Sequence, residues 1–187
     1  MLLSTLGQAK VNEMANYKQE VTKAMEMLAA QPNVLFLGQT VLYPGSILSD
    51  TLRDIPMSKK LELPVAEEMQ LGMSIGLALD GYLPISIYPR IDFLLLACNQ
   101  LSNHLDVLEE MSHREWRAKV IIRTIIGSGT TFDSGLQHSR NHTEVFKALL
   151  KNVEVVRLDH PTKVVPAYKR ALESDKSTLM IEEARLY

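Results

Sequence analysis

Two acidic residues and one histidine stand where side chains often take part in chemistry. Glu67 and Glu68 open a predicted helix, although carboxylates there can also simply complement the helix dipole. His138 lies in residues 127–141, a stretch of Gly, Ser, Thr, Asp and His without periodicity that follows a strongly apolar strand. Such a segment is typical of a ligand-binding loop. His138 is therefore a candidate acid, base or ligand-binding group.

A further candidate is Ser74, the centre of Gly72-Met73-Ser74-Ile75-Gly76, which matches the G-x-S-x-G pattern of serine hydrolases. His138 or His142 could then serve as its base. The pattern requires a strand that runs straight into the turn, whereas residues 65–71 are rich in helix formers. The sequence thus favours a helix whose two glycines lie on one face, with the hydrolase as an alternative.

Predicted strands and helices alternate along the chain and would position these residues. Strands are predicted at 34–37, 61–63, 85–88, 120–126, 153–158 and 178–181. Helices are predicted at 17–30, 47–52, 67–79, 92–108, from 143 onward, and at 162–172. This alternation predicts an α/β fold, doubly wound, with a mainly parallel sheet of about six strands and helices on both faces. Ligands of such folds usually bind outside the carboxyl ends of the strands.

The composition disfavours several classes of protein. The chain has 20 Lys and Arg against 22 Asp and Glu, a formal net charge of -2, and no basic block, which disfavours binding to nucleic acid. No apolar stretch approaches the roughly 18 residues of a spanning helix, so no membrane association is expected. The single cysteine, Cys98, fits a reducing, cytoplasmic location. No set of His and carboxylates has metal-ligand spacing, so no metal ligand is predicted in this chain.

Several motifs, taken in order, resemble a known family. They are Pro64-Val65-Ala66-Glu67, the glycine-bearing segment 72–84, Asp92-Phe93, Asn99-Gln100-Leu101, Arg123-Thr124, Gln137-His138-Ser139 and the closing Glu182-Glu183-Ala184-Arg185-Leu186-Tyr187. Their order and spacing resemble the transketolase-like pyrimidine-binding domain of thiamine-diphosphate enzymes, specifically the beta subunit of the decarboxylating component of 2-oxo acid dehydrogenases. The resemblance covers residues 15–187 and leaves residues 1–14 as an N-terminal extension.

The resemblance implies a role for each matching residue. Glu67 corresponds to the glutamate that hydrogen-bonds the aminopyrimidine ring of thiamine diphosphate and so promotes proton transfer from the thiazolium C2. Phe93 corresponds to an aromatic residue that packs on the pyrimidine ring. Pro89 lies in the approach to that ring, where Pro89-Arg90 departs from the residues usual in the family. His138 corresponds to the histidine that faces the reacting centre and can stabilise or protonate the substrate-derived intermediate.

The resemblance also implies that another polypeptide supplies part of the site. The family's Gly-Asp-Gly and asparagine motif, which holds Mg²⁺ and the diphosphate, is absent from this sequence, and relatives continue beyond the matching Arg185-Leu186-Tyr187 into a further domain. The expected partner is therefore a diphosphate-binding, alpha-type subunit, in a homodimer or heterotetramer.

The expected function is that of a pyrimidine-domain subunit of a thiamine-diphosphate-dependent enzyme. Its small-molecule substrate would be a 2-oxo acid or a ketose-like compound, and the reaction decarboxylation or transfer of an aldehyde or ketol group. The alternative is a non-catalytic relative that stabilises or regulates a partner. The presence of both Glu67 and His138 favours the enzyme, because a purely structural role requires neither residue at these positions.

Overall fold

A six-stranded sheet forms the centre of the molecule in the computed structural model, which describes residues 17–44, 46–128 and 135–187. The strands are β1 (Val34–Gly38), β2 (Lys60–Glu62), β3 (Leu83–Tyr88), β4 (Ile121–Ile126), β5 (Glu154–Leu158) and β6 (Thr178–Glu183). They lie in the order β2-β1-β3-β4-β6-β5, and all neighbouring strands within the described residues run parallel. The predicted parallel sheet is confirmed.

Helices cover both faces of this sheet, as predicted. They are α1 (17–29), α2 (Ile47–Asp50), α3 (Glu67–Leu79), α4 (Ile91–Leu94), α5 (Leu108–Met111), α6 (Thr143–Leu149) and α7 (Pro161–Glu173). Residues of α1 and α7 pack in one apolar core, and those of α3, α4 and α6 in a second. Ile121 and Ile125 of β4 lie in the first core, whereas Ile122 and Ile126 lie in the second. This two-residue alternation is that of a strand buried on both faces, so the doubly wound α/β class is confirmed.

The segment predicted as one helix at 92–108 is composite. Helix α4 continues into a 3₁₀ turn at Leu95–Ala97 and a π-helical stretch at Asn99–Leu105 before α5 begins. The prediction is right about the helical character of the segment and wrong about its regularity. The reason is that the spacing of apolar residues reports which face is buried and not which hydrogen-bond pattern the backbone adopts.

The strand order creates a crevice between β1 and β3. After β1 the chain turns to α2 on the face of the first core, whereas after β3 it turns to α4 on the face of the second. Gly38 ends β1 with φ of +146°, and an added Cβ would lie 2.2 Å from the carbonyl oxygen of Ile87. Only glycine allows this close approach of the two strands. The divergence of the two connections is the usual binding crevice of such sheets.

A closed polar cluster lies on the face covered by α1 and α7. Arg123 and Glu182 form a fully buried ion pair, with Nε 2.8 Å from Oε1 and Nη2 3.0 Å from Oε2. The hydroxyl of Tyr168 donates to Glu182 Oε1 at 2.8 Å, and that of Tyr187 donates to Oε2. Tyr17 packs edge-on against Tyr187, with ring centroids 5.3 Å apart. We call these five residues the Arg123 cluster.

Part of the predicted loop and the predicted N-terminal extension lie outside the described residues. The extension comprises residues 1–14, and residues 129–134 divide the loop predicted at 127–141. The described end of that loop contains a 3₁₀ turn at Leu136–His138. None of the helices in the described ranges is long and apolar enough to cross a membrane.

Candidate functional site

Glu67 is the first residue of α3 and lies beside the carboxyl end of β3. Its side chain is buried, with 5% of the residue exposed, and its Oε1 accepts a hydrogen bond from Gln39 Nε2 at 3.2 Å. The hydroxyl of Tyr88 donates to the backbone oxygen of Glu67 at 3.1 Å, which fixes the start of the helix to the last residue of β3. Burial raises the pKa of Tyr88, so this hydroxyl stays protonated. No described residue donates a hydrogen bond to the second carboxyl oxygen, Oε2.

Gln39 is a site residue that sequence reasoning missed. It follows β1 directly, and the backbone after it is held by Glu62, whose carboxylate accepts hydrogen bonds from the amides of Thr40, Val41 and Leu42 at 2.7 to 2.9 Å. The loop is therefore ordered by a charged group from the end of β2. The available signal was the position of Gln39 at the end of a buried strand next to the crevice.

Phe93 and His138 meet on the other side of the end of β3. Phe93 lies in α4, and its ring centroid is 5.2 Å from that of His138, with 52° between the ring planes. Both residues are half-buried, so one surface of each is accessible. The structure thus brings together the aromatic residue and the histidine that the sequence singles out, although they are 45 positions apart.

Pro89 and Arg90 connect β3 to α4. Pro89 is half-buried directly after the last residue of β3. Arg90 Nη1 donates to the carbonyl oxygen of Gly127 at 3.1 Å and to that of His138 at 3.2 Å. The sequence marked Arg90 only as a departure from the family pattern, and its contacts with the loop could not be read from it.

Asp92 and His142 form a second contact between α4 and the same loop. The distance between His142 Nε2 and Asp92 Oδ1 is 3.3 Å, with the side chains 17% and 11% exposed. The other carboxylate oxygen of Asp92 is buried and has no hydrogen-bond partner in the described part of the chain. His142 is therefore engaged with a carboxylate.

Ser74 lies where a hydrolase nucleophile could not act. It is fully buried in the middle of α3, and its Oγ donates to the backbone oxygen of Gln70 at 2.8 Å. The G-x-S-x-G match is therefore a helical segment, and the hydrolase alternative is wrong. A Cβ added at Gly72 would lie 3.7 Å from the side chain of Gln100, and a Cβ added at Gly76 would meet no described atom within 4 Å.

The opposite edge of the sheet carries a polar cleft of about 390 Å³, formed around the starts of β4, β5 and β6. One cation of its lining, Arg117, is paired with Glu109 at 2.9 Å and with Asp175 at 3.2 Å. Nowhere in the described ranges do three or more His, Cys, Asp or Glu side chains come together as a metal site. The chemistry-bearing groups are concentrated at the carboxyl edge instead.

The sequence matches the family described as "Transketolase, pyrimidine binding domain" over residues 13–187. The chain belongs to this family. Among curated relatives of this transketolase-type pyrimidine domain, the chloroplastic pyruvate dehydrogenase E1 component subunit beta-3 of Arabidopsis thaliana is 29% identical over 168 residues, which cover 87% of this chain and 40% of the relative. The pyruvate dehydrogenase E1 component subunit beta of Gracilaria tenuistipitata var. liui is 29% identical over 165 residues, which cover 87% of this chain and 50% of the relative. The chain thus spans half or less of the length of these relatives.

Two solved structures of similar fold are transketolases. The domain superimposes on a chain described as "Split gene transketolase, inactive beta4 tetramer" with a TM-score of 0.67 and 16% identity, covering 91% of this chain and 51% of the other. It superimposes on the transketolase of Campylobacter jejuni with a TM-score of 0.72 and 15% identity, covering 90% of this chain and 26% of the transketolase chain. At these identities the likeness establishes the fold, which agrees with the resemblance inferred from the motifs.

Proposed function

We propose that this chain is the pyrimidine-domain subunit of a thiamine-diphosphate-dependent enzyme. The observation that carries the proposal is the carboxyl group of Glu67, which is buried at the crevice between β1 and β3 and whose Oε2 receives no hydrogen bond from the described residues. Oε2 is not one of the enclosed, unpartnered side-chain atoms of the described residues, so a ligand in the crevice can reach it. Membership of the pyrimidine-binding family supplies the ligand class.

The residues present fit an aminopyrimidine ring. Glu67 Oε2, to which no described residue donates a hydrogen bond, can accept one from a ring N–H, and Phe93 offers an aromatic face. Pro89 lies between these two residues in the sequence, directly after β3. When bound, the cofactor supplies a thiazolium carbon at which a carbonyl substrate can react. Glu67 exchanges a proton with the pyrimidine nitrogen, while Gln39 and Tyr88 keep the carboxyl group and the helix start in place.

His138 is the proposed acid or hydrogen-bond donor toward the substrate. Its ring lies against Phe93 at the carboxyl edge of the sheet and is half-buried, so it can reach a small molecule held there. The proposed substrate is a 2-oxo acid or a ketose-like compound, with decarboxylation or transfer of an aldehyde or ketol group as the reaction. A cytoplasmic location goes with this proposal and rests on the presence of a single cysteine.

A diphosphate-binding, alpha-type partner completes the site in this proposal and holds Mg²⁺. The outer faces of α3 and of the segment after α4 support a partner surface, since they pack side by side and both expose apolar side chains. These exposed residues are Met69, Met73, Leu95 and Leu96, with Val65 just before the start of α3. Contiguous exposed apolar groups are typical of protein interfaces. The open Gly76 on α3 fits the close approach of another helix, as expected for a homodimer or heterotetramer.

Calorimetric titration with thiamine diphosphate and Mg²⁺ tests the shared site. We expect weak or no binding by the 187-residue chain alone and tight, Mg²⁺-dependent binding once an alpha-type subunit is added. Tight Mg²⁺-dependent binding by the lone chain would overturn the proposal that the diphosphate half comes from a partner. Absence of binding even in the complex would favour a stabilising or regulatory relative instead.

A further inference from the structure

Arg90 contacts two carbonyl groups that lie 37 and 48 positions further along the chain. Its Nη1 lies 3.1 Å from the carbonyl oxygen of Gly127, immediately after β4, and 3.2 Å from the carbonyl oxygen of His138, at the end of the 3₁₀ turn. These two carbonyls belong to residues eleven positions apart. One guanidinium nitrogen therefore fixes the exit of the central strand and the backbone of the candidate histidine at the same time.

The ring of His138 is held from the same short segment. Phe93 follows Arg90 by three residues, and its ring lies 5.2 Å from the imidazole, centroid to centroid. Asp92, between them, contacts His142 at 3.3 Å and so holds the chain beyond His138. Residues 90–93 thus contact the loop at its backbone, at the histidine ring and at the following histidine.

The role of Arg90 is not that of an ion pair. It is half-buried and forms no salt bridge with any described residue, and its hydrogen bonds there go to backbone carbonyls. Both bonds have ordinary lengths, 3.1 and 3.2 Å, and a carbonyl that accepts such a bond is restricted in its orientation. Because the peptide of His138 is fixed, the direction of its side chain is restricted to the rotamers that its backbone permits.

We propose that Arg90 is a positioning residue that sets the imidazole of His138 against Phe93 and toward the crevice. The inference rests on the proposed function for its catalytic consequence, and on the geometry alone for the placement of the ring. A histidine displaced by about 1 Å from its reactive position can lose on the order of a hundredfold in rate. Arg90 acts through His138 and does not itself need to touch the substrate.

The placement is tested on the 187-residue chain by NMR with ¹³C-labelled histidine. The signal of His138 is assigned by its loss in His138→Ala, and its nuclear Overhauser contacts with the ring of Phe93 are measured. In Arg90→Gln we expect these contacts to weaken or vanish while signals of the distant His160 stay unchanged. Arg90→Lys keeps a charged group with several N–H donors and is expected to retain part of the contact.

Arg140→Gln is the matched control, because it removes the same charge two residues from His138. Arg140 is exposed and makes no contact with the carbonyls that Arg90 holds. We expect its His138–Phe93 contacts to match those of the wild type. Intact contacts in Arg90→Gln, or equal loss in Arg140→Gln, would overturn the positioning role.

The catalytic consequence is tested in the enzyme reconstituted with its diphosphate-binding partner. Arg90→Gln is expected to lower kcat on the order of a hundredfold with little change in KM, and Arg90→Lys to recover part of the loss. If Arg90→Gln has normal kcat while His138→Ala is impaired, the positioning role is wrong. If His138→Ala is also fully active, the proposed function of His138 fails, and the NMR contact alone then decides whether Arg90 places the ring.

Discussion

Two buried glutamates of the same sheet and helix layers have very different surroundings. Glu182 is fully buried and accepts four hydrogen bonds, two from Arg123 and one each from Tyr168 and Tyr187. Glu67 is almost as buried, yet it accepts one hydrogen bond, from Gln39. The first carboxylate is completed by the fold. The carboxylate of Glu67 has one oxygen, Oε2, that no described residue hydrogen-bonds, and it lies at the crevice where a ligand would enter.

This difference indicates that Glu182 stabilises the fold, whereas Glu67 is available to bind a ligand. Glu67 has one carboxylate oxygen that no described residue hydrogen-bonds and that the fold does not enclose, at a crevice of the kind where ligands bind. The two sites should therefore respond in opposite ways to substitution. Changes at Glu67 should affect turnover and leave folding intact, whereas changes in the Arg123 cluster should affect folding first.

The largest expected effect is that of Glu67→Gln. The amide keeps the size of the side chain and loses the ability to exchange a proton, so we expect turnover in the reconstituted enzyme to fall below detection. General acid–base catalysis alone contributes roughly 10²–10⁴-fold. Exchange of the C2 hydrogen of bound thiamine diphosphate, followed by NMR, should slow by a similar factor, while the thermal unfolding midpoint should change little.

Glu68→Gln is the control for this prediction. Glu68 is the exposed neighbour of Glu67 and accepts a hydrogen bond from Asn99 at 3.0 Å. We expect the C2 hydrogen of thiamine diphosphate bound to Glu68→Gln to exchange as fast as in the wild type. If Glu67→Gln exchanges C2 hydrogen as fast as the wild type, Glu67 is not the proton-transfer group, and Glu68 becomes the candidate.

The next largest effect is expected for Arg123→Met. This change leaves the carboxylate of Glu182 buried without its cation, and breaking a buried pair in this way costs roughly 3–5 kcal/mol of unfolding free energy. The double variant Arg123→Met, Glu182→Met removes both charges and should recover much of the loss. Urea unfolding measures all three proteins.

Arg53→Met provides the comparison for a surface pair. Arg53 is 74% exposed at its side chain and lies 3.5 Å from Asp50. Such a pair contributes roughly 0–1 kcal/mol, so we expect a small change. If the double variant in the Arg123 cluster is as unstable as the single one, the uncompensated charge is not the cause of the destabilisation.

The sheet and the helix at Glu67 could be predicted from the sequence, whereas two contacts of the candidate site could not. Apolar runs and helical spacing predict the strands, their parallel arrangement and the helix that begins at Glu67, because burial on both faces leaves a local pattern. Two contacts of the site leave no local pattern in the sequence. Gln39 and Glu67 are 28 positions apart, and Arg90 and His138 are 48 positions apart. Both contacts depend on how the strands align in the sheet.

The composite helix after β3 shows a second limit. Its buried residues Ile91, Leu94, Ala97, Leu101 and Leu105 are spaced by 3, 3, 4 and 4 positions. The spacing of 3 extends over α4 and the 3₁₀ turn, and the spacing of 4 over the π-helical stretch. Their mean is close to the period of an α-helix, so a search for one period over the whole segment predicts a regular helix.

The smallest expected effect is that of Tyr168→Phe. It removes one donor from Glu182 Oε1, which keeps its bond to Arg123 Nε at 2.8 Å. A hydrogen bond to a charged group contributes roughly 1.5–3 kcal/mol, and the remaining donors should hold the loss near the lower end. Tyr82→Phe, at an exposed tyrosine, is the control and should change the unfolding free energy by less than about 0.5 kcal/mol.

The dependence of this loss on pH identifies its cause. Burial, with the neighbouring Glu182 as the next cause, raises the pKa of Tyr168 above the ordinary tyrosine value of about 10. The folded chain therefore keeps a proton that the unfolded chain releases above about pH 10, so its contribution is fully present below that pH and declines as the pH rises. Wild-type stability should fall more steeply than that of Tyr168→Phe, so that the difference in unfolding free energy between the two proteins changes by about 1.4 kcal/mol in total between about pH 9 and 11 for this one proton. Urea unfolding between about pH 9 and 11 measures both slopes, with Tyr82→Phe as the control for losing a tyrosine. Parallel curves for the wild type and Tyr168→Phe would mean that the hydroxyl of Tyr168 is not closed in by the fold, and the contrast between the two glutamates would lose its physical basis.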